Sequence, residues 1–138
     1  MKTLKDIHQD LSLSHPPDQD WGLVNGETGR TKGFIEYFNS NEQFIDKPTR
    51  LSYLDLVISS YNQNVLENKN IKHLYKPFKD YILKHNESFY DVIIGYWISI
   101  RDDDEFPVGY VIEEIIEVTI AIPADGPSFG VAPSGTCT

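Results

Sequence analysis

Apolar positions along this chain recur at steps of three and four, and breaks rich in Pro, Gly and Asn separate the runs. Leu4, Ile7 and Leu11 open the pattern and predict a short helix within residues 1–11. Residues 12–33 lose it: Pro16-Pro17, Asn25-Gly26, Gly29 and Gly33 predict a long loop, pinned to the body by Trp21, Leu23 and Val24. Phe34, Ile35, Tyr37 and Phe38 read as a short helix ending at Asn39-Ser40-Asn41. Leu51, Leu54, Val57, Ile58, Tyr61 and Val65 then fall on one helical stripe. Ser52 and Asp55 stand in capping-box spacing at its start, and Asn68 to Asn70 closes it.

The stripe resumes with Ile71, Leu74, Phe78 and Ile82 over residues 71–86. Pro77 interrupts it, and a proline there removes an N–H and crowds the preceding turn, so a kink or a fresh helix is expected. Lys69, Lys72, Lys76 and Lys79 share the polar face as a small basic pole. Ser88 and Asp91 repeat the capping-box pattern ahead of Val92–Ile100. Phe89, Val92, Ile93, Tyr96 and Ile100 line one side of that segment, and Tyr90, Ile94 and Trp97 the other. A helix apolar nearly all round is central and buried, so Phe89, Tyr96 and Trp97 read as core; a buried strand over 92–100 is the alternative. Pro107 suits the first position of a last helix with the stripe Val108, Val111, Ile112, Ile115 and Ile116. Val118, Ile120 and Ile122 alternate as a strand does, so this helix is expected to stop near Glu117.

Consecutive helix-length segments on short links predict a mostly α fold. The expectation is a single-domain bundle of about five helices over residues 1–122, with a long N-terminal loop and a loose Pro/Gly/Ser-rich tail over 123–138. A strand near 92–100 or 117–122 would make it α+β. At 138 residues, folding buries roughly two-thirds of the unfolded surface, so the core needs no disulfide or metal. The single cysteine, Cys137, excludes an internal disulfide and agrees with a reducing cytosol. The longest apolar run, Val92–Ile100, falls far short of the roughly 20 residues that span a bilayer, and Met1–Asp10 is no secretory signal. A soluble cytoplasmic protein without membrane contact is expected.

Charge adds a second layer. Glu87–Thr138 holds ten carboxylates against one cation, Arg101, a formal charge of −9 that equals that of the whole chain; residues 1–50 (−2) and 51–86 (+2) cancel. A localised field costs self-repulsion, and its common use is to steer a partner of opposite sign. The exposed side of the last helix carries Glu113, Glu114 and Glu117, and Asp102-Asp103-Asp104-Glu105 precedes it. With Tyr110 as a neighbouring aromatic anchor, these residues are the candidate partner-binding set. A solubilising surface is the plain alternative.

Signals for chemistry are weak. His8, His15, His73 and His85 form no i, i+4 pair and flank no cysteine cluster, so no zinc site is expected. His85, near a helix C-terminus, is positioned to favour the dipole as a cation. In Asn25–Gly33 the lysine precedes the glycine and no strand leads in, which is not a phosphate-binding loop. Asp102 to Glu105 are adjacent, whereas a calcium loop alternates its ligands. Cys137 has nothing around it to lower its pKa. We therefore expect no catalytic residue, cofactor or metal. Direct nucleic-acid binding needs a basic surface and is disfavoured, but a carboxylate surface can imitate a phosphate backbone and occupy a site that otherwise holds nucleic acid.

Two groups of strings carry a resemblance. Asp20-Trp21-Gly22-Leu23-Val24-Asn25 is followed by Gly33-Phe34-Ile35-Glu36-Tyr37-Phe38, and Phe89-Tyr90 through Tyr96-Trp97 is followed by Asp102 to Phe106-Pro107. Over roughly residues 18–117 the chain resembles small immunity proteins of bacterial polymorphic toxin systems, contact-dependent growth inhibition included. The resemblance implies a small acidic cytosolic protein without catalysis that binds one cognate toxin domain, and the acidic face adds the expectation that this domain is basic, such as a nuclease. It implies no particular architecture, because immunity proteins share a role and not a fold. A helical adaptor in another complex, an acidic DNA mimic and an unrecognised enzyme are the alternatives.

Overall fold

The computed structural model describes residues 1–16 and 20–121. Among them are seven α-helices and no strand: α1 Leu4–Leu11, α2 Trp21–Asn25, α3 Thr31–Asn41, α4 Lys47–Glu67, α5 Ile71–Lys84, α6 Asp91–Ser99 and α7 Val108–Ala121. Single 3-10 turns, Glu42–Phe44 and Ser88–Tyr90, lead into α4 and α6. The mostly α expectation holds and the α+β alternative does not. The helix expected to stop near Glu117 instead runs on as α7 to Ala121, which leaves no strand over 117–121. The tail over 123–138, with Cys137, lies outside the described residues.

Local chemistry sets the helix ends. Thr3 and Asp6 form a reciprocal capping box at α1, and the two backbone and side-chain hydrogen bonds from Thr3 hold the Asp6 carboxyl below its ordinary range. The α4 cap is Asp46, whose carboxylate accepts from the Thr49 amide at 3.0 Å, with Pro48 in the first turn. Ser52 and Asp55 are thus not a capping box, because α4 has already begun a turn earlier. Asn68 closes it in the left-handed region at φ 52°. Nor do Ser88 and Asp91 cap α6, whose first turn follows a 3-10 segment without a side-chain cap. α5 runs unbroken through Pro77. The carbonyl that Pro77 leaves without a donor is that of His73, on the exposed side where water reaches.

The central element is α4 and not α6. Tyr53, Leu54, Leu56, Val57, Ile58 and Tyr61 are all buried, and so are the polar Ser59, Ser60, Asn62 and Asn64. Those polar groups receive the surrounding loops. Ser59 donates to the Leu23 carbonyl at 3.1 Å, Ser60 to that of Glu27 at 2.6 Å, and Asn64 to that of Lys69 at 3.0 Å. Burial of these polar groups is possible because each bonds to backbone of a neighbouring segment. Around it pack Phe34 and Phe38 of α3, Phe78 and Tyr81 of α5, Trp97 of α6, and Val108, Ile112 and Ile115 of α7. Tyr61 stacks on Phe78 with centroids 4.0 Å apart.

The expected long N-terminal loop contains α2, which lies on α4 with almost no separation. A Cβ on Gly22 would sit 2.7 Å from the Asp55 Cβ, and one on Gly26 would sit 2.3 Å from the Ser59 Oγ. Trp21 pins the segment, buried and donating from Nε1 to His8 Nδ1 at 3.1 Å. Leu23 and Val24 do not pin it; both side chains are exposed.

Helix α6 is buried on one face only. Only Ile94 and Trp97 are buried, while Val92 is 77% and Tyr96 60% exposed, with Phe89 at 41% just ahead of them. Phe89 and Tyr96 are therefore surface residues, contrary to the sequence expectation. The physical reason is position: α6 lies outside α4 and α7, so one face is enough to fill its share of the core.

Candidate functional site

The α6–α7 connection is a tight corner. The Asp103 amide donates to the Ile100 carbonyl at 3.0 Å, and the Phe106 amide donates to the Asp103 carbonyl at the same distance. The Asp103 carboxylate accepts from the Glu105 amide at 2.9 Å, an Asx-type turn. Asn62 of α4 holds the corner from below, donating to the Glu105 carbonyl at 2.8 Å and accepting from the Val108 amide at 3.1 Å. Behind it α7 meets α6 closely at Gly109, where a Cβ would stand 2.3 Å from the Trp97 carbonyl oxygen.

Every residue of the expected partner-binding set lies on this corner or on the outward face of α7. Asp102, Asp103, Asp104, Glu105, Tyr110, Glu114 and Glu117 are exposed, and Glu113 is half-buried. Spacings of three and four put Tyr110, Glu113, Glu114 and Glu117 on one side of α7. The Tyr110 hydroxyl donates to Asp102 Oδ1, which joins helix face to corner. That hydrogen bond, with the Asp102 charge, raises the Tyr110 hydroxyl above its ordinary value. Arg101 is drawn inward: its Nε lies 3.3 Å from Glu113 Oε1, and its guanidinium sits 5.8 Å from the Tyr110 ring centroid. Asp104, Glu105, Glu114 and Glu117 make no side-chain hydrogen bond or ion pair with any described residue. The acids thus divide. Asp102, Asp103 and Glu113 build the corner, and the other four face outward.

Tyr96 and Ile100, which the sequence placed in a buried segment, join this surface with Phe106. Tyr96 of α6, Ile100 just after it and Phe106 of the corner line a cleft of about 190 Å³, together with Asp20, Leu23, Asp55 and Trp97. On its floor the Asp55 carboxylate accepts from Trp97 Nε1 at 2.7 Å. Burial raises the Asp55 carboxyl above its usual range, the Trp97 hydrogen bond opposes that, and the nearby Asp20 charge adds to it. One signal for the exposed face was present in the sequence: Gly95 and Ser99 fall on the same side of α6 as Val92 and Tyr96, and a buried face would have been filled.

Among the described residues, no group of three His, Cys, Asp or Glu side chains is arranged to hold a metal ion. His85 lies at a helix C-terminus as expected, but it is buried and its charged form is disfavoured. It is the buried C-cap of α5, with its ring 5.2 Å from that of Phe38 and 4.8 Å from that of Tyr90. Burial holds it below the ordinary histidine value. Among the described residues no helix is long and apolar enough to cross a membrane. Comparison with known proteins finds no matching family model, no matching curated protein and no matching solved structure. The surface chemistry is what speaks to function.

Proposed function

We propose that this protein is a cytoplasmic, non-catalytic inhibitor of the immunity type, which docks its acidic corner against a basic toxin domain. The observation that carries this reading is the convergence of seven carboxylates on one corner and one helix face, with exposed Tyr110 among them and Tyr96 alongside. Aromatic anchors within a charged rim are the usual anatomy of a protein interface. The four outward carboxylates pair with lysines and arginines that in the toxin would otherwise hold nucleic acid. The resemblance to polymorphic-toxin immunity proteins points the same way.

The test is co-expression with the toxin domain encoded by the neighbouring reading frame. Rescue of growth and copurification support the reading. Reversal of Asp104, Glu105, Glu114 and Glu117 to lysine should abolish both while the circular dichroism spectrum stays unchanged, because these side chains bond to nothing in the described fold. Rescue that survives the reversal sinks the acidic-corner interface.

A further inference from the structure

We propose that the cleft over Asp55 is the receptacle for a single arginine side chain of the partner protein. The inference deepens the inhibitor reading and rests on it for the source of that arginine. Four separate elements build the cleft: Asp20 and Leu23 at α2, Asp55 of α4, Tyr96 and Trp97 of α6, and Phe106 of the corner. It is the size of one long side chain and not of a helix or a nucleotide.

Its chemistry selects a cation. Asp55 contributes a carboxylate, and no lysine or arginine lines the cleft among the described residues. Trp97 Nε1 occupies Asp55 Oδ1, which fixes the carboxylate and leaves its second oxygen for another donor. The walls select arginine over lysine. Trp97 and Phe106 meet edge to face with centroids 5.8 Å apart, and the Tyr96 ring stands 6.3 Å from that of Trp97. A guanidinium is weakly hydrated, stacks on aromatic faces and presents several donors at once, whereas an ammonium holds its water. Leu23 and Ile100 give the aliphatic stem an apolar track.

The cleft is also fixed in shape. Gly22 brings α2 onto α4 beside Asp55, with a Cβ position 2.8 Å from the Leu56 amide nitrogen, and Gly109 brings α7 against α6 at Trp97. Both walls are set by backbone contact, so an incoming side chain meets a preformed slot and orders little on entry.

The two tryptophans supply reporter and control: the Trp97 indole N–H bonds Asp55, and that of Trp21 bonds His8. The experiment follows both indole resonances by NMR while N-acetyl-arginine-methylamide is added at low salt. A saturable shift of Trp97 with Trp21 unmoved is expected. The neutral isostere N-acetyl-citrulline-methylamide should produce none, and the lysine analogue a weaker one. Asp55→Asn keeps an acceptor for Trp97 and should abolish the arginine response while melting no lower than the parent. Against the toxin domain it should weaken binding about 30-fold, mainly through faster dissociation. Tyr96→Ala, at an exposed site, should cost about fivefold.

An unmoved Trp97, an equal response to citrulline, or an Asp55→Asn protein that responds as before would overturn the proposal. The outcomes separate the two readings. A toxin domain that binds Asp55→Asn undiminished removes the receptacle and leaves the inhibitor. A Trp97 response to arginine in a protein that rescues no toxin removes the inhibitor and leaves the receptacle.

Discussion

Asn62 clamps the acidic corner by the backbone on both sides of Phe106-Pro107, donating to the Glu105 carbonyl at 2.8 Å and accepting from the Val108 amide at 3.1 Å. The clamp belongs to the buried central helix and its target to the most acidic surface, so one side chain ties the core to the proposed interface. Asn62→Ala leaves two backbone groups without their partners. At about 1–3 kcal/mol for each unsatisfied buried group, a loss of about 3 kcal/mol is expected from urea denaturation. Faster hydrogen exchange at the Val108 amide should accompany it; a Val108 amide still as protected as before would refute the clamp.

Two glycines should respond in opposite directions. Gly109→Ala forces a methyl group to within 2.3 Å of the Trp97 carbonyl oxygen and 2.7 Å of the Arg101 Cβ. Relief needs α6 and α7 to part, at a cost of about 3 kcal/mol. A Cβ at Gly95, on the outer face of α6, meets nothing within 4 Å. Gly95→Ala should stabilise by about 0.5–1 kcal/mol, because alanine loses less backbone entropy in a helix. Thermal melts of the two variants on either side of the parent check the packing.

His85 sets a pH dependence of stability. Its Nδ1 bonds the Tyr81 carbonyl at 2.9 Å, its Nε2 has no partner, and Phe38, Tyr81 and Tyr90 surround the ring. Burial lowers its pKa below 6.5, with the Arg50 and Lys84 charges adding to the effect and the Tyr81 hydrogen bond and Glu42 opposing it. The unfolded chain therefore takes up this proton first as the pH falls. The stabilising contribution is complete above about pH 6.5 and is lost as the pH drops toward the folded-state value. Urea midpoints from pH 7.5 to pH 5 should fall in the parent and fall less in His85→Leu. Equal slopes would show that another group governs the decline.

The two faces of α6 offer a test that separates folding from the proposed binding. Val92→Ser and Tyr96→Ser alter exposed side chains and should change stability by no more than about 0.5 kcal/mol. Trp97→Ala empties a buried site and should cost about 3–5 kcal/mol. Affinity for the toxin domain should fall in the Tyr96 variant without a change in melting temperature. Tyr96→Ser that binds normally would place the interface elsewhere.

Salt dependence reports the charge of the interface. Association steered by the outward carboxylates should approach about 10⁸ per molar per second at low ionic strength and fall as salt is added. With Asp104, Glu105, Glu114 and Glu117 neutralised to their amides, stopped-flow rates should approach the unsteered range of about 10⁵–10⁶ per molar per second, and the salt slope should flatten. A slope unchanged by neutralisation would remove steering from the account.

The helical class was legible because the apolar stripes of α4, α5 and α7 are long. The acidic corner was legible because its residues are close in sequence. α2 was hidden: it has five residues with a glycine inside, and it is held by close approach to α4 and not by propensity. The exchange of roles between α4 and α6 has one cause. Ser59, Ser60, Asn62 and Asn64 look like a solvated face until the loops that bond to them are known, and Val92 and Tyr96 look like core until α6 is seen on the outside. The Asp55 cleft left no local trace, since residues 20, 55, 96 and 106 come together only in the fold.

The outward carboxylates at 104, 105, 114 and 117 have a consequence for descent. Since they bond to nothing else in the described fold, a lineage can rewrite them one at a time without disturbing how the chain folds. Under the proposed docking role, recognition can thus change step by step while the scaffold beneath stays the same.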